Sequence, residues 1–182
     1  YVSMDGAIDM HEIGDANRAY VQSVLARYRD DADAGVWAKF EEMLVGVGGH
    51  SYDGALARAT DLVNVMAGSV YALPRNRYDI VSAYFLGESI TTSRRAFWSI
   101  TRSLVAAVRP GGMLITAHMI GSHEYHAGEG THFPSVHLTV EDLAEAYRDA
   151  GVDFALHPVG SDSAKAREGY QGMAVVVARR QR

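Results

Sequence analysis

The chain contains no cysteine among its 182 residues, which excludes a disulfide framework and any metal site built on thiolates. It has no apolar run approaching the ~20 residues of a membrane-spanning helix. It also has no stretch with the layout of a signal peptide. Positive charge is not in excess: 17 Lys and Arg stand against 22 Asp and Glu, for a net charge of −5 and a pI of about 5.9. That balance argues against a nucleic-acid partner held through its phosphates. No repeat or low-complexity segment is present. These absences predict a cytoplasmic protein with no membrane span. What remains is an ordinary globular mixture, 48% hydrophobic and 21% charged, long enough for one domain over residues 1–182 with a sizeable core.

The hydrophobic pattern predicts strands alternating with helices. Ala7–Glu12 reads as a strand. Asn17–Arg29 reads as a helix, with Val21, Val24, Leu25 and Tyr28 at i, i+3, i+4 and i+7. Val36–Leu44 reads as a second helix with Trp37, Phe40, Met43 and Leu44 on one face, and Ala55–Thr60 as a short third, joined by a glycine-rich loop. Leu62–Met66 and Asp79–Phe85 read as strands, and Thr91 to Ser93 offer an N-cap for a helix over Arg94–Val108. Pro110-Gly111-Gly112 reads as a tight turn before a buried strand at Met113–Ala117. Thr139 and Asp142 suggest a capping box for a helix over Val140–Ala150, with Gly151 at C′. Phe154–His157 and Met173–Ala178 complete the strands. The alternation implies parallel βαβ units and an α/β, doubly wound, Rossmann-like sheet. The last two strands lack room for a helical crossover, so the final one is expected to run antiparallel, between its neighbours or at the edge.

The richest chemistry lies in Arg109–Val136, where a buried strand leads into a stretch that reads as a polar loop. The C-terminal ends of strands are where open α/β sheets bind ligands. Five of the eight histidines fall between His118 and His137. His123 and His126 stand three apart in apparent loop with no fixed third ligand and no HExxH helix. The expectation is therefore no metal, with the histidines serving as substrate contacts or as a proton acceptor near neutral pH. Glu12 ends a strand just before a helix, where a carboxylate either accepts hydrogen bonds from ribose hydroxyls or sits solvated in the loop. Asn17 reads as a helix capping residue or a second polar contact to the same ligand, with capping favoured. Ser82 and Ala83 either pack against a helix or let a ligand approach the backbone beside Tyr84; packing is favoured.

Taken together, EIGDAN (Glu12–Asn17), GSVYALP (Gly68–Pro74), YDIVSAYFLGESIT (Tyr78–Thr91), RPGG (Arg109–Gly112) and SHEYHAGEGTHFPSV (Ser122–Val136) resemble class I S-adenosylmethionine-dependent methyltransferases. They are most similar to the group that includes nicotinamide, phenylethanolamine and thioether methyltransferases and its bacterial relatives. The resemblance implies S-adenosyl-L-methionine as cofactor, S-adenosyl-L-homocysteine as product, and a small-molecule methyl acceptor. It implies that Glu12 holds the ribose hydroxyls with Asn17 beside it, that Ser69 and Val70 lie along the adenine, and that Ala83 and Tyr84 flank the methionine portion. Ser69 stands where the family usually carries an aspartate. On the acceptor side it implies that His118, Ser122, Tyr125, Ser135 and Tyr84 face the substrate, with His118 or Tyr125 orienting the acceptor or taking its proton. The family's first strand, its glycine-rich loop and its N-terminal cap helices have no counterpart in the chain and are expected ahead of Tyr1.

The expected function is methyl transfer to a nitrogen, oxygen or sulfur of a small metabolite, with monomer and homodimer both left open. Two other readings share the fold. One is an inactive methyltransferase-like subunit that completes itself with another chain. The other is a nicotinamide-dependent oxidoreductase, which needs GxGxxG ahead of Tyr1 and does not account for the later motifs.

Overall fold

The computed structural model describes residues 6–29, 42–43, 45–46, 60–127, 131–160 and 169–182; of 124–127, 131 and 132 only the backbone is described. The chain divides into two compact units, Val2–Ser69 and one running from Val70 to Arg182. Among the described residues no helix is long and apolar enough to cross a membrane.

In the first unit, strand β1 (Ile8–Glu12) pairs in parallel with β2 (Val63–Ala67), in register from Ile8 opposite Val63 to Glu12 opposite Ala67. Helix α1 (Asp15–Arg29) leaves β1 and packs on β2. A parallel pair needs such a crossover, because a short hairpin cannot return the chain in the same direction. Most of the helix expected over Val36–Leu44 and of that over Ala55–Thr60 lies outside the described residues; Glu42 and Met43 are helical and exposed.

The second unit is built on a four-stranded sheet in the order β3-β4-β8-β7. Strands β3 (Tyr78–Tyr84) and β4 (Val108–Ile120) are parallel and joined through helix α2 (Arg94–Ala107), whose N-cap Ser93 accepts from Ala96 N–H. Helix α3 (Val140–Asp149) leads to β7 (Asp153–Val159) and then to β8 (Gly172–Arg179). β8 runs antiparallel between β4 and β7, as its short connection required. The capping box at Thr139 and Asp142 is complete, and Gly151 follows the helix at φ 70°.

Two local expectations are corrected. The Pro110-Gly111-Gly112 turn does not precede the strand but interrupts it. The β3–β4 ladder steps from Tyr78 opposite Val108 to Ile80 opposite Met113, so the extra residues form a bulge. Gly111 takes φ 83° there, and a Cβ on Gly112 would sit 2.6 Å from Asp79 O. The apparent loop after His118 is partly strand: β4 continues to Ile120, and Glu124–Ala127 (β5) pairs with Thr131–Pro134 (β6) as a hairpin. Alternation along β4 and β8 turns Leu114, Thr116, His118, Ala174, Val176 and Ala178 toward buried positions. Two apolar clusters result, one around Tyr78, Ile100, Leu104 and Tyr147, the other around Phe97, Leu138, Leu143 and Ala146.

Candidate functional site

In the first unit, Glu12 closes β1 half-buried, and its Oε1 accepts the Gly14 N–H at 2.7 Å. Its Oε2 has no partner among the described residues. The glycine allows this close approach: a Cβ there would lie 3.3 Å from Glu12 Oε1 and 3.4 Å from Asn17 Nδ2. Glu12 and Asn17 therefore converge on one backbone position. Asn17 is the third residue of α1, not its N-cap, which corrects the capping reading. Arg18 donates to the carbonyls of Glu12 at 2.9 Å and Ile13 at 2.8 Å, fixing the turn between strand and helix. A carboxylate oxygen left open at a helix N-terminus beside a free amide suits a vicinal diol, which donates to the first and accepts from the second. Gly68 N–H binds Glu12 O at 3.3 Å and brings the end of β2 alongside. Ser69, half-buried and already partnered, follows there.

In the second unit, Val70 opens a 3₁₀ turn, Val70–Ala72, and its carbonyl accepts from Ser103 Oγ. Ser82 is exposed, whereas Ala83 is buried in the first apolar cluster, so the packing reading holds for Ala83. Tyr84 points the other way and is 58% exposed. Phe85 then takes φ 55° and its N–H binds Ala117 O at 2.8 Å. A bulky residue in the left-handed region is a strained turn of the kind concentrated at ligand sites.

His118 departs from expectation. It is 3% exposed and points into the layer between sheet and helices, not toward open space. Its Nδ1 lies 3.1 Å from Glu88 Oε2, and its Nε2 lies 2.9 Å from Thr116 Oγ1 and 3.0 Å from Tyr147 Oη. With both nitrogens engaged, the ring has no free atom to take a proton from an acceptor. Sequence reasoning missed Glu88, Thr116 and Tyr147. The sole signal was a glutamate in an otherwise apolar turn, and its complete burial is a tertiary fact. Burial pushes the Tyr147 phenol far above its ordinary pKa, with the Glu88 charge adding to the rise and the Thr116 bond opposing it.

Ser122 and Ser135 are 1% and 5% exposed, and neither hydroxyl finds a hydrogen-bond partner among the described residues. Buried hydroxyls are normally paired, so two orphans flanking the base of one hairpin mark a place for a polar ligand or ordered water. His137 Nδ1 lies 3.1 Å from Gly121 O, and its ring stacks on His123 at 4.5 Å. Tyr125 lies in β5, and its side chain is outside the described residues. Among the described residues no group of three His, Asp or Glu could hold a metal ion.

The model of the NNMT/PNMT/TEMT family matches residues 58–181. No curated protein matches the chain. Among solved structures, a Listeria monocytogenes protein described as an S-adenosylmethionine-dependent methyltransferase is 12% identical with a TM-score of 0.53, over 70% of this chain and 76% of that one. The [4+2]-cyclase SpnF is 17% identical with a TM-score of 0.51, over 71% and 61%. A possible exported protein from Bordetella parapertussis is 12% identical with a TM-score of 0.55, over 97% and 54%. The chain thus spans 54% to 76% of these proteins' lengths, and the likeness establishes the α/β class I methyltransferase fold.

Proposed function

The chain belongs to the NNMT/PNMT/TEMT family of S-adenosylmethionine-dependent class I methyltransferases, and on that premise we propose that the intact protein methylates a nitrogen, oxygen or sulfur of a small-molecule metabolite. The observation that carries the reading is the convergence of Glu12 and Asn17 on Gly14, with one carboxylate oxygen and the amide left for a ribose diol. The fold by itself does not select the reaction, since a [4+2]-cyclase shares it.

S-Adenosylmethionine supplies, when bound, a methyl carbon already activated by its sulfonium. The chain's part is therefore alignment and exclusion of water, with no covalent intermediate on the protein. By the family resemblance, Glu12 and Asn17 would hold the ribose, Ser69 and Val70 the adenine side, and Ala83 with Tyr84 the methionine side. The Ser122 and Ser135 hydroxyls would orient the acceptor, each able to donate or accept. His118 supports no role as proton acceptor in this arrangement; an amine that attacks through its lone pair needs none. Tyr125 remains a proposed acceptor contact.

Calorimetry of the intact protein with S-adenosylhomocysteine tests the reading, followed by transfer of labelled methyl to a panel of amines, nitrogen heterocycles, phenols and thioethers. Glu12→Ala is expected to weaken S-adenosylhomocysteine binding by about 10- to 100-fold, the loss of a charge-assisted hydrogen bond. Absence of binding by the wild-type protein would overturn the proposal.

A further inference from the structure

Glu88 is completely buried, and among the described residues no Lys or Arg reaches it. A buried carboxylate adds little net stability by itself, although removing it alone orphans the donors it holds. Its bonds point to a different use, because they join three segments. β3 ends at Tyr84, opposite Ala117, and two residues further along β4 comes the Met119 N–H. Glu88 Oε1 takes it at 2.9 Å. Oε2 faces His118 Nδ1, and the Glu88 backbone carbonyl accepts the Val136 N–H at 2.9 Å. Met119 lies three residues before Ser122, and Val136 directly follows Ser135. Both orphan hydroxyls are thus suspended from hydrogen bonds to one residue, which itself continues the turn through Tyr84 and Phe85.

Proton counting assigns the His118 tautomer. Nε2, Thr116 Oγ1 and Tyr147 Oη form a triangle whose two oxygens are 2.5 Å apart. The hydroxyls bring two protons. If Nε2 accepts, one hydroxyl donates to the other, which donates to Nε2, and every proton is used. If Nε2 carried a proton, one hydroxyl hydrogen would be left buried without an acceptor. The ring proton therefore sits on Nδ1 and points at Glu88.

We propose that Glu88 is the positioning residue of the acceptor side: by gathering the Met119 N–H, the His118 Nδ1–H and the Val136 N–H, it holds the Ser122 and Ser135 hydroxyls at a set spacing beside the Tyr84–Phe85 turn. The role rests on the methyltransferase reading above; the tautomer assignment does not. Glu88→Gln leaves a single acceptor oxygen. The Met119 N–H claims it, the amide NH₂ turns to His118, and the ring proton moves to Nε2. Long-range proton–nitrogen spectra of the intact, histidine-labelled protein should show protonated Nδ1 in the wild type and protonated Nε2 in Glu88→Gln. The KM of the panel acceptor that turns over should rise about 10- to 100-fold, while S-adenosylhomocysteine affinity stays within about twofold, because the hydrogen bonds of Glu88 go to His118, Met119 and Val136 and to none of the residues proposed to hold the cofactor. Glu88→Met leaves the Met119 N–H and the His118 Nδ1–H without an acceptor, so it should lower Tm and raise the acceptor KM at least as far, with S-adenosylhomocysteine binding well below that Tm showing that the variant is folded. An unchanged tautomer in Glu88→Gln, or an unchanged acceptor KM in variants that bind S-adenosylhomocysteine normally, overturns the proposal. Failure of the wild type to bind S-adenosylhomocysteine overturns the methyltransferase reading instead, and the spectra still decide whether Glu88 holds the ring.

Discussion

Replacing Tyr147 with Phe removes one buried oxygen and leaves the ring, which packs in the first apolar cluster, in place. The oxygen contacts Thr116 Oγ1 and His118 Nε2, and those two atoms remain 2.9 Å apart and can close on each other. The loss at neutral pH should therefore be that of a single net hydrogen bond, about 1 kcal/mol, not the larger cost of an orphaned group. The phenol adds a pH dependence of known sign. Its pKa is raised in the folded state, so folding favours the protonated form, and that contribution is complete below the unfolded value of about 10. Above it the unfolded chain ionises while the folded protein cannot, and stability falls by about 1.4 kcal/mol per pH unit. At pH 11 the wild type should have lost about 1.4 kcal/mol that Tyr147→Phe keeps, since all other tyrosines are common to both proteins. The wild-type advantage of about 1 kcal/mol at pH 7 should accordingly vanish or reverse by about pH 11. Urea unfolding followed by far-UV circular dichroism at the two pH values reads this directly. Equal stability at pH 7, or the same deficit at both pH values, would refute the network as described.

Gly121 takes φ 78°, and a Cβ there would meet the Gly169 carbonyl oxygen at 2.2 Å. Gly121→Ala should thus cost at least about 2 kcal/mol and lower Tm by roughly 4–8 °C in a thermal scan. Asp142 completes the capping box on α3 and also pairs with Arg94 at 2.8 Å. Asp142→Ala should cost about 1 kcal/mol in urea unfolding through the lost cap, whereas Arg94→Ala should stay below about 0.5 kcal/mol because that guanidinium is largely exposed.

The features that the sequence alone determined are those set by near neighbours. Val21, Val24, Leu25 and Tyr28 at helical spacing specify α1, Thr139 and Asp142 three apart specify the start of α3, and the brevity of the β7–β8 connection specifies an antiparallel last strand. The Glu12–Asn17 pair came from the family resemblance: position alone left Glu12 open between a ribose contact and a solvated loop, and favoured for Asn17 a capping role that the structure corrects. Local spacing misled where tertiary pairing competed with it: Pro110-Gly111-Gly112 has the chemistry of a turn, yet β3 and the Arg180 backbone pair around it and make it a bulge. The interior of the acceptor side was decided only by the tertiary structure. Which way His118 points depends on which face of β4 the helices cover. Its partners Glu88 and Tyr147 stand 30 and 29 residues away, brought in by a loop and a helix on different connections. No periodicity encodes that meeting, and none reveals that Ser122 and Ser135, ordinary serines in the sequence, end buried with no hydrogen-bond partner among the described residues. Burial and hydrogen-bond satisfaction are properties of the packed layers, and a chain read one residue at a time does not carry them.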